Sequence, residues 1–135
     1  MTPTSVLFVS HDADLRASAS RVLVKAGCRV RVAAHSGHAT LACIASSYDV
    51  LVVDRLMADG SSEAVADRFR SKYPEANIVW VGDDDAKPAG HPGDLAVARP
   101  FDAYELIGAV SDATFLRAAS RNHSVENQQQ YRAAN

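Results

Sequence analysis

Asp54 closes an uninterrupted apolar run, Val50-Leu51-Val52-Val53, and a turn containing Gly60 follows it. A run that is mostly β-branched and has no polar interruption reads as a strand buried on both faces of a parallel sheet. A carboxylate at the carboxyl end of such a strand sits where open α/β sheets place their ligands. The same residue type also caps turns, and this segment alone leaves both readings open. Other polar residues stand at the ends of other apolar runs: Ser10-His11-Asp12 after the first, Gly82-Asp83-Asp84-Asp85 after the fourth, and Arg99 after the fifth. The Asp83–Asp85 run could supply a cation site beside Asp54, although a solvated acidic loop is the plainer reading, because its charge forbids burial. His11 is of the type that senses pH or binds a softer metal, but a surface turn histidine accounts for it more simply. His35, His38, His91 and His123 lack the i, i+4 partner that a zinc site would need. No nucleophile–base pair and no Gly-rich phosphate loop is evident.

The elements that would position these groups alternate. Val6-Leu7-Phe8-Val9 is the first strand, and Asp12 is placed to cap the helix that follows, with Leu15, Ala19, Val22, Leu23 and Ala26 on one face. Gly27 ends that helix at a left-handed position. Arg29-Val30-Arg31-Val32-Ala33 alternates and reads as a strand near the sheet edge, its two arginines on a solvated face. Ser36 is expected to cap a second helix carrying Ala39, Leu41, Ala42, Ile44 and Ala45. Ser61 or Ser62 starts a third, stopped by Pro74. Ile78-Val79-Trp80-Val81 and Leu95-Ala96-Val97-Ala98 are the last two strands, and Asp102 caps a final helix through Leu106, Ile107 and Val110 toward Phe115, Leu116 and Ala119.

The stretch 83–94 breaks this rhythm. Its two prolines and two glycines oppose a regular helix, so the helix expected after the fourth strand should be short or missing. The face it would cover is then expected to be open, exposing apolar surface of strands 4 and 5. Residues 1–121 are expected to form one domain, and 122–135 a polar, frayed tail.

Strand–helix alternation over this length predicts an α/β fold, a doubly wound five-stranded parallel sheet in the order 2-1-3-4-5. In that order Ser10, His11, Asp12 and Asp54 share one crevice at the switch point, and Gly82 and Arg99 border it. Bulk numbers agree with such a domain. The chain has 135 residues, 47% hydrophobic and 22% charged, a globular balance. A formal net charge of −2 gives no reason to expect nucleic acid as a partner. No signal peptide and no membrane-length apolar run is present, so no membrane partner and a cytoplasmic location are expected. Cys28 and Cys43 lack metal-type spacing and read as reduced, buried thiols.

From Val6 to about Val110 the chain resembles the receiver domain of two-component response regulators, a flavodoxin-like (CheY-like) fold. The resemblance rests on Val6-Leu7-Phe8-Val9-Ser10-His11-Asp12-Ala13-Asp14-Leu15-Arg16, on Tyr48 to Met57 around Asp54, and on Arg99-Pro100-Phe101 before the last helix. It implies a phosphoacceptor at Asp54, served by a histidine kinase. Family members bind Mg²⁺ through that Asp and an acidic pair after strand 1. A Thr or Ser after strand 4 and a Lys after strand 5 hold the phosphoryl oxygens.

Few of those positions match. The acidic pair falls on Ser10 and His11, with Asp12 one place later; the hydroxyl position is Gly82, the lysine position Arg99, and the aromatic switch position Ala96. Mg²⁺ wants hard oxygen ligands, with carboxylates foremost. Ser10 offers only a neutral oxygen and His11 is a poor ligand for it, so Asp12 and Asp54 are the carboxylates left for a metal. No cofactor is expected, and Mg²⁺ should bind weakly if it binds. Arg99 keeps the positive charge and can bind phosphate bidentately, or lock onto Asp54 instead. The reading that follows is a pseudo-receiver in a two-component or phosphorelay system, not an enzyme. It would act through contacts with a signalling protein, a histidine kinase or an effector, with a homodimer also expected as one form of contact. The alternatives are a working response regulator phosphorylated on Asp54, and a small-molecule binder or enzyme on the same fold.

Overall fold

The four-residue apolar cores of the first and third runs become neighbouring strands, and the rest of the sheet is laid out from them. The computed structural model describes residues 3–115. Its elements are β1 (Ser5–Val9), α1 (Ala13–Lys25), β2 (Arg29–Ala33), α2 (Ser36–Ala45), β3 (Val50–Asp54), α3 (Ser62–Lys72), β4 (Val79–Gly82), β5 (Leu95–Ala98) and α4 over 103–115. The sheet order is β2-β1-β3-β4-β5, every pairing is parallel, and the expected fold is the one found. β1 and β3 are in register from Val6↔Val50 to Val9↔Val53. Because strand side chains alternate, Leu7, Val9, Leu51, Val53 and Trp80 pack with α2 and α3. Val6, Phe8, Val50, Val52, Val81 and Val97 pack with α1 and α4. No helix among the described residues is long and apolar enough to cross a membrane.

Local chemistry sets the helix ends. Asp12 caps α1, its side chain accepting from the Asp14 and Leu15 amides, and Gly27 follows the helix at φ +94°, where a side chain would be strained. The α1 face is narrower than the pattern suggested: Leu15, Ala19 and Leu23 are buried, while Ala26 is exposed. α2 departs further. Its cap is His35, not Ser36, with Nδ1 accepting from the His38 amide at 3.4 Å. Only Ala39 and Ala42 of α2 are buried, and Leu41 and Ile44 stand 65% and 77% exposed. The two thiols are half-buried, not core, and burial pushes both up from their ordinary values.

Residues 83–94 form bends and turns with no helix, as the prolines and glycines dictate. The opening expected over the sheet, however, is not there at β4, all four of whose residues are buried. Asp94 explains the closure. Its carboxylate accepts from the Ile78 amide at 3.0 Å and the Trp80 indole Nε1 at 3.0 Å, and pairs with Arg70. Lys87 Nζ donates to the Asp94 carbonyl and folds the segment back on itself. Gly93 lies so close to Asn77 that a Cβ would meet its Oδ1 at 2.2 Å, so a side chain there would require Asn77 to move. Asp102 caps α4, accepting from the Glu105 amide at 2.8 Å, and Leu106 and Val110 are buried as expected. The expectations for Leu116 and Ala119, for a domain limit at 121 and for a tail over 122–135 lie outside the described residues.

Candidate functional site

The parallel order places the carboxyl ends of β1 and β3 side by side, with those of β4 and β5 next to them. Asp54, the last residue of β3, is fully buried. One of its carboxylate oxygens, Oδ2, accepts from the Ser10 hydroxyl at 2.7 Å and from Arg99 Nη2 at 2.8 Å. The other, Oδ1, accepts from the Leu56 amide at 2.9 Å. The Asp54 carbonyl accepts from the Ser62 hydroxyl at 2.7 Å, tying the start of α3 to the same strand end. A buried charge is tolerated when it is paired and hydrogen-bonded, and Asp54 meets both conditions without any group from outside the chain.

Ser10 and Arg99 extend the network. Ser10 is fully buried, and its Oγ accepts from the Asp12 amide at 3.1 Å while donating to Asp54. Arg99 reaches from the end of β5 across the crevice, and its Nη1 meets Asp12 Oδ2 at 3.4 Å. One guanidinium therefore bridges the two carboxylates at the switch point. Asp12 is held below its usual value of 3.8, first by the Leu15 amide, against an opposing push from partial burial, and further by the Asp14 amide and the Arg99 and His11 charges. His11 itself is exposed at the rim.

Gly82 ends β4, and its carbonyl accepts from the Arg99 amide at 2.7 Å. The space its side chain would take is filled by Arg55: a Cβ there would meet Arg55 Nε at 2.9 Å and Nη2 at 3.0 Å. Arg55 continues to an ion pair with Asp84, Nη2 to Oδ1 at 2.7 Å. That pair occupies the central member of the acidic run as a partner for arginine. Ala96 lies on β5 in register with Trp80, on the α2–α3 side of the sheet.

The structure thus joins Ser10, Asp12, Asp54 and Arg99 directly, sets Gly82 beside Arg99, and leaves His11 and Ala96 outside the bonded network. Arg55 and Ser62 belong to the site, and sequence reasoning passed over them. The signal for Arg55 was its position immediately after Asp54, opposite a glycine at the end of the next strand. Ser62 was read only as a helix start. Mg²⁺ does not fit these residues. Asp54 Oδ2 already carries a cation and a hydroxyl donor, and the neighbouring acidic positions hold a neutral serine and an exposed histidine. Among the described residues, no group of three or more His, Cys, Asp or Glu side chains is arranged to hold a metal ion.

Solved structures with the same fold are response-regulator receiver domains. NtrX from Brucella abortus, in complex with ADP, superposes with a TM-score of 0.79 at 19% identity, covering 95% of this chain and 30% of that one. A response regulator receiver protein from Sinorhizobium medicae gives 0.74 at 23% identity, over 85% of this chain and 97% of that one. Chemotaxis response regulator CheY4 of Vibrio cholerae gives 0.71 at 22% identity, over 83% and 99%. This chain therefore spans less than a third of NtrX and almost all of the other two. No protein-family model matches the chain, and no curated protein matches it. The chain has the CheY-like receiver fold.

Proposed function

We propose that this chain is a receiver-like signalling domain of the two-component type whose Asp54 is a structural ion-pair partner and not a phosphoacceptor. It is a pseudo-receiver, non-catalytic, working in the cytoplasm through contacts with a signalling protein, a histidine kinase or an effector. The observation that carries this reading is the Arg99 guanidinium at 2.8 Å from Asp54 Oδ2, the same oxygen that takes the Ser10 hydroxyl at 2.7 Å.

Phosphoryl transfer depends on positioning and on neutralising charge at the transferring group. Asp54 Oδ2 is taken up by Arg99 and Ser10, which leaves Oδ1, itself accepting from the Leu56 amide, as the oxygen with a lone pair to spare. The gross attraction between unit charges 2.8 Å apart is about 6 kcal/mol at an effective dielectric of 20, before desolvation offsets much of it. A divalent ion would have to displace that guanidinium and find only Asp12 as a further carboxylate. On the opposite side, where a hydroxyl would bond an incoming phosphoryl oxygen, Gly82 offers no donor and Arg55 fills the space.

A second reading, a working phosphoacceptor at Asp54, draws on Arg99 itself. A guanidinium binds phosphate bidentately, and its buried Nε has no protein partner. Incubation of the whole chain with acetyl phosphate and Mg²⁺, followed by intact mass, separates the two. The pseudo-receiver reading expects an unchanged mass. A stoichiometric gain of one phosphoryl group, lost in Asp54→Asn, overturns it in favour of the second reading.

A further inference from the structure

Helix α2 has the sequence SGHATLACIA, with no acidic, lysine or arginine side chain. A helix with so little polar surface is normally buried, yet this one buries only Ala39 and Ala42. Leu41 and Ile44 form an apolar ridge facing outward, 65% and 77% exposed. Behind the ridge, between α2 and α3, runs a groove of about 520 Å³ whose floor is Leu7, Val65 and Phe69. Its polar rim is basic: Arg68 donates to the Thr40 hydroxyl, and Lys72 Nζ donates to the Cys43 and Ser46 carbonyls. None of the residues lining the groove is acidic. On the other flank of α2, the residues between Leu41 and the edge strand β2 include Arg31 and, again, no acid.

We propose that this α2–α3 face docks an amphipathic helix of a partner protein, one with an apolar stripe flanked by acidic side chains. The concavity and its apolar floor suit a helix laid into a groove, the mode in which apolar anchors recur at i, i+3, i+4 and i+7. The charge of the rim selects the flanks. Like charges facing each other across an interface cost affinity, so a second copy using this face would set Arg68, Lys72 and Arg31 against their own counterparts. A flat lipid surface would meet the Leu41–Ile44 ridge but would leave the groove floor unfilled. The inference rests on the reading that this domain acts through contacts and not through a phosphoryl group, and it names the surface and the partner chemistry.

The test uses the full chain and a fluorescent synthetic helical peptide with leucines at i, i+3, i+4 and i+7 and glutamates on either side. A second peptide carries lysines in place of the glutamates. Anisotropy titration should show saturable binding of the acidic peptide and none of the basic one. Ile44→Ser, at an exposed position the fold does not need, should weaken binding by about tenfold, the loss expected for one apolar anchor. Arg68→Glu should weaken it while leaving the circular dichroism spectrum unchanged. Absence of acidic-peptide binding, equal binding of both peptides, or no effect of Ile44→Ser overturns the proposal. So does a dimer in sedimentation that Ile44→Ser dissolves, which would make a second copy the occupant. Binding to phosphatidylserine vesicles with the same dependence on Ile44 and Arg68 overturns it in favour of a lipid surface. Intact mass after acetyl phosphate treatment, read on the same samples, keeps the two ideas apart. A phosphorylated chain that binds the peptide refutes the pseudo-receiver reading alone, and an unmodified chain that does not bind refutes the docking surface alone.

Discussion

Truncating Arg99 tests whether the ion pair at the head of the sheet holds the fold together. Asp54 is fully buried and the Arg99 side chain is 26% exposed. Removing one partner of a fully buried pair costs about 3–5 kcal/mol, because the other charge is left uncompensated, whereas an exposed pair is worth about 0–1 kcal/mol. Arg99→Ala lies between these limits. Water can enter where a partly exposed guanidinium stood, and Asp54 keeps its bonds from Ser10 and Leu56. The expected loss is about 2–3 kcal/mol, which for a domain of this size lowers Tm by roughly 6–12 °C. Urea unfolding followed through Trp80, the only tryptophan, measures it. Trp80 suits the purpose because its indole bonds Asp94 and takes no part in the Asp54–Arg99 network, so its native signal should survive the substitution. Asp54→Asn in the Arg99→Ala background removes the stranded charge, and the double variant should regain about 1 kcal/mol or more over Arg99→Ala at unchanged m. A loss under about 0.5 kcal/mol for Arg99→Ala, within the range of ordinary surface changes, would refute the reasoning. Additive effects of the two substitutions would refute it as well, since Asp54 would then be free to react.

Two further outcomes follow from the same structure. Asp94→Ala strands Arg70 and unpairs the Ile78 amide and the Trp80 indole, and should cost about 3–5 kcal/mol with a shift in Trp80 emission; an unchanged urea midpoint would show that the 83–94 segment does not clamp β4. Asp12 should titrate below 3.8 in an NMR pH series, and Arg99→Ala should raise it only in part, because the Leu15 amide is the larger cause. Since its folded value is depressed, its contribution to stability is present above 3.8 and is lost as pH falls through the lowered value; an Asp12 that titrates at or above 3.8 contradicts the cap geometry.

What the sequence made legible is what depends on pattern. Continuous apolar runs located four of the five strands, alternation put β2 at an edge, and prolines and glycines ruled out a helix over 83–94. The helix surfaces were less legible. Leu41 and Ile44 lie in a helix of apolar composition, but burial depends on how far α2 stands off the sheet, and no local pattern encodes that distance. The closure over β4 was also hidden. Asp94 reads as one more acid in an acidic, Pro/Gly-rich stretch, and only folding reveals that it accepts from Ile78 and Trp80 and pairs with Arg70.

At the crevice, the sequence identified the residue types that depart from the receiver pattern, and the structure shows that the departures support one another. An arginine at 99 in place of lysine has the reach to span both Asp54 and Asp12. The serine at 10 turns what would be a second negative charge into a hydroxyl donor for Asp54, which makes burial of that carboxylate tolerable. The glycine at 82 leaves the space that Arg55 takes on its way to Asp84. Three of the departures, at 10, 82 and 99, are each matched by a contact that uses the position, while His11 and Ala96 are not. A site decaying at random would leave orphaned charges, with Asp54 buried beside nothing, and such a carboxylate would destabilise the sheet it closes. Here Ser10, Asp12, Asp54 and Arg99 are joined directly over the carboxyl ends of β1, β3 and β5, with the Arg55–Asp84 pair beside them. That arrangement is what a domain needs if its surface, and not its aspartate, is read.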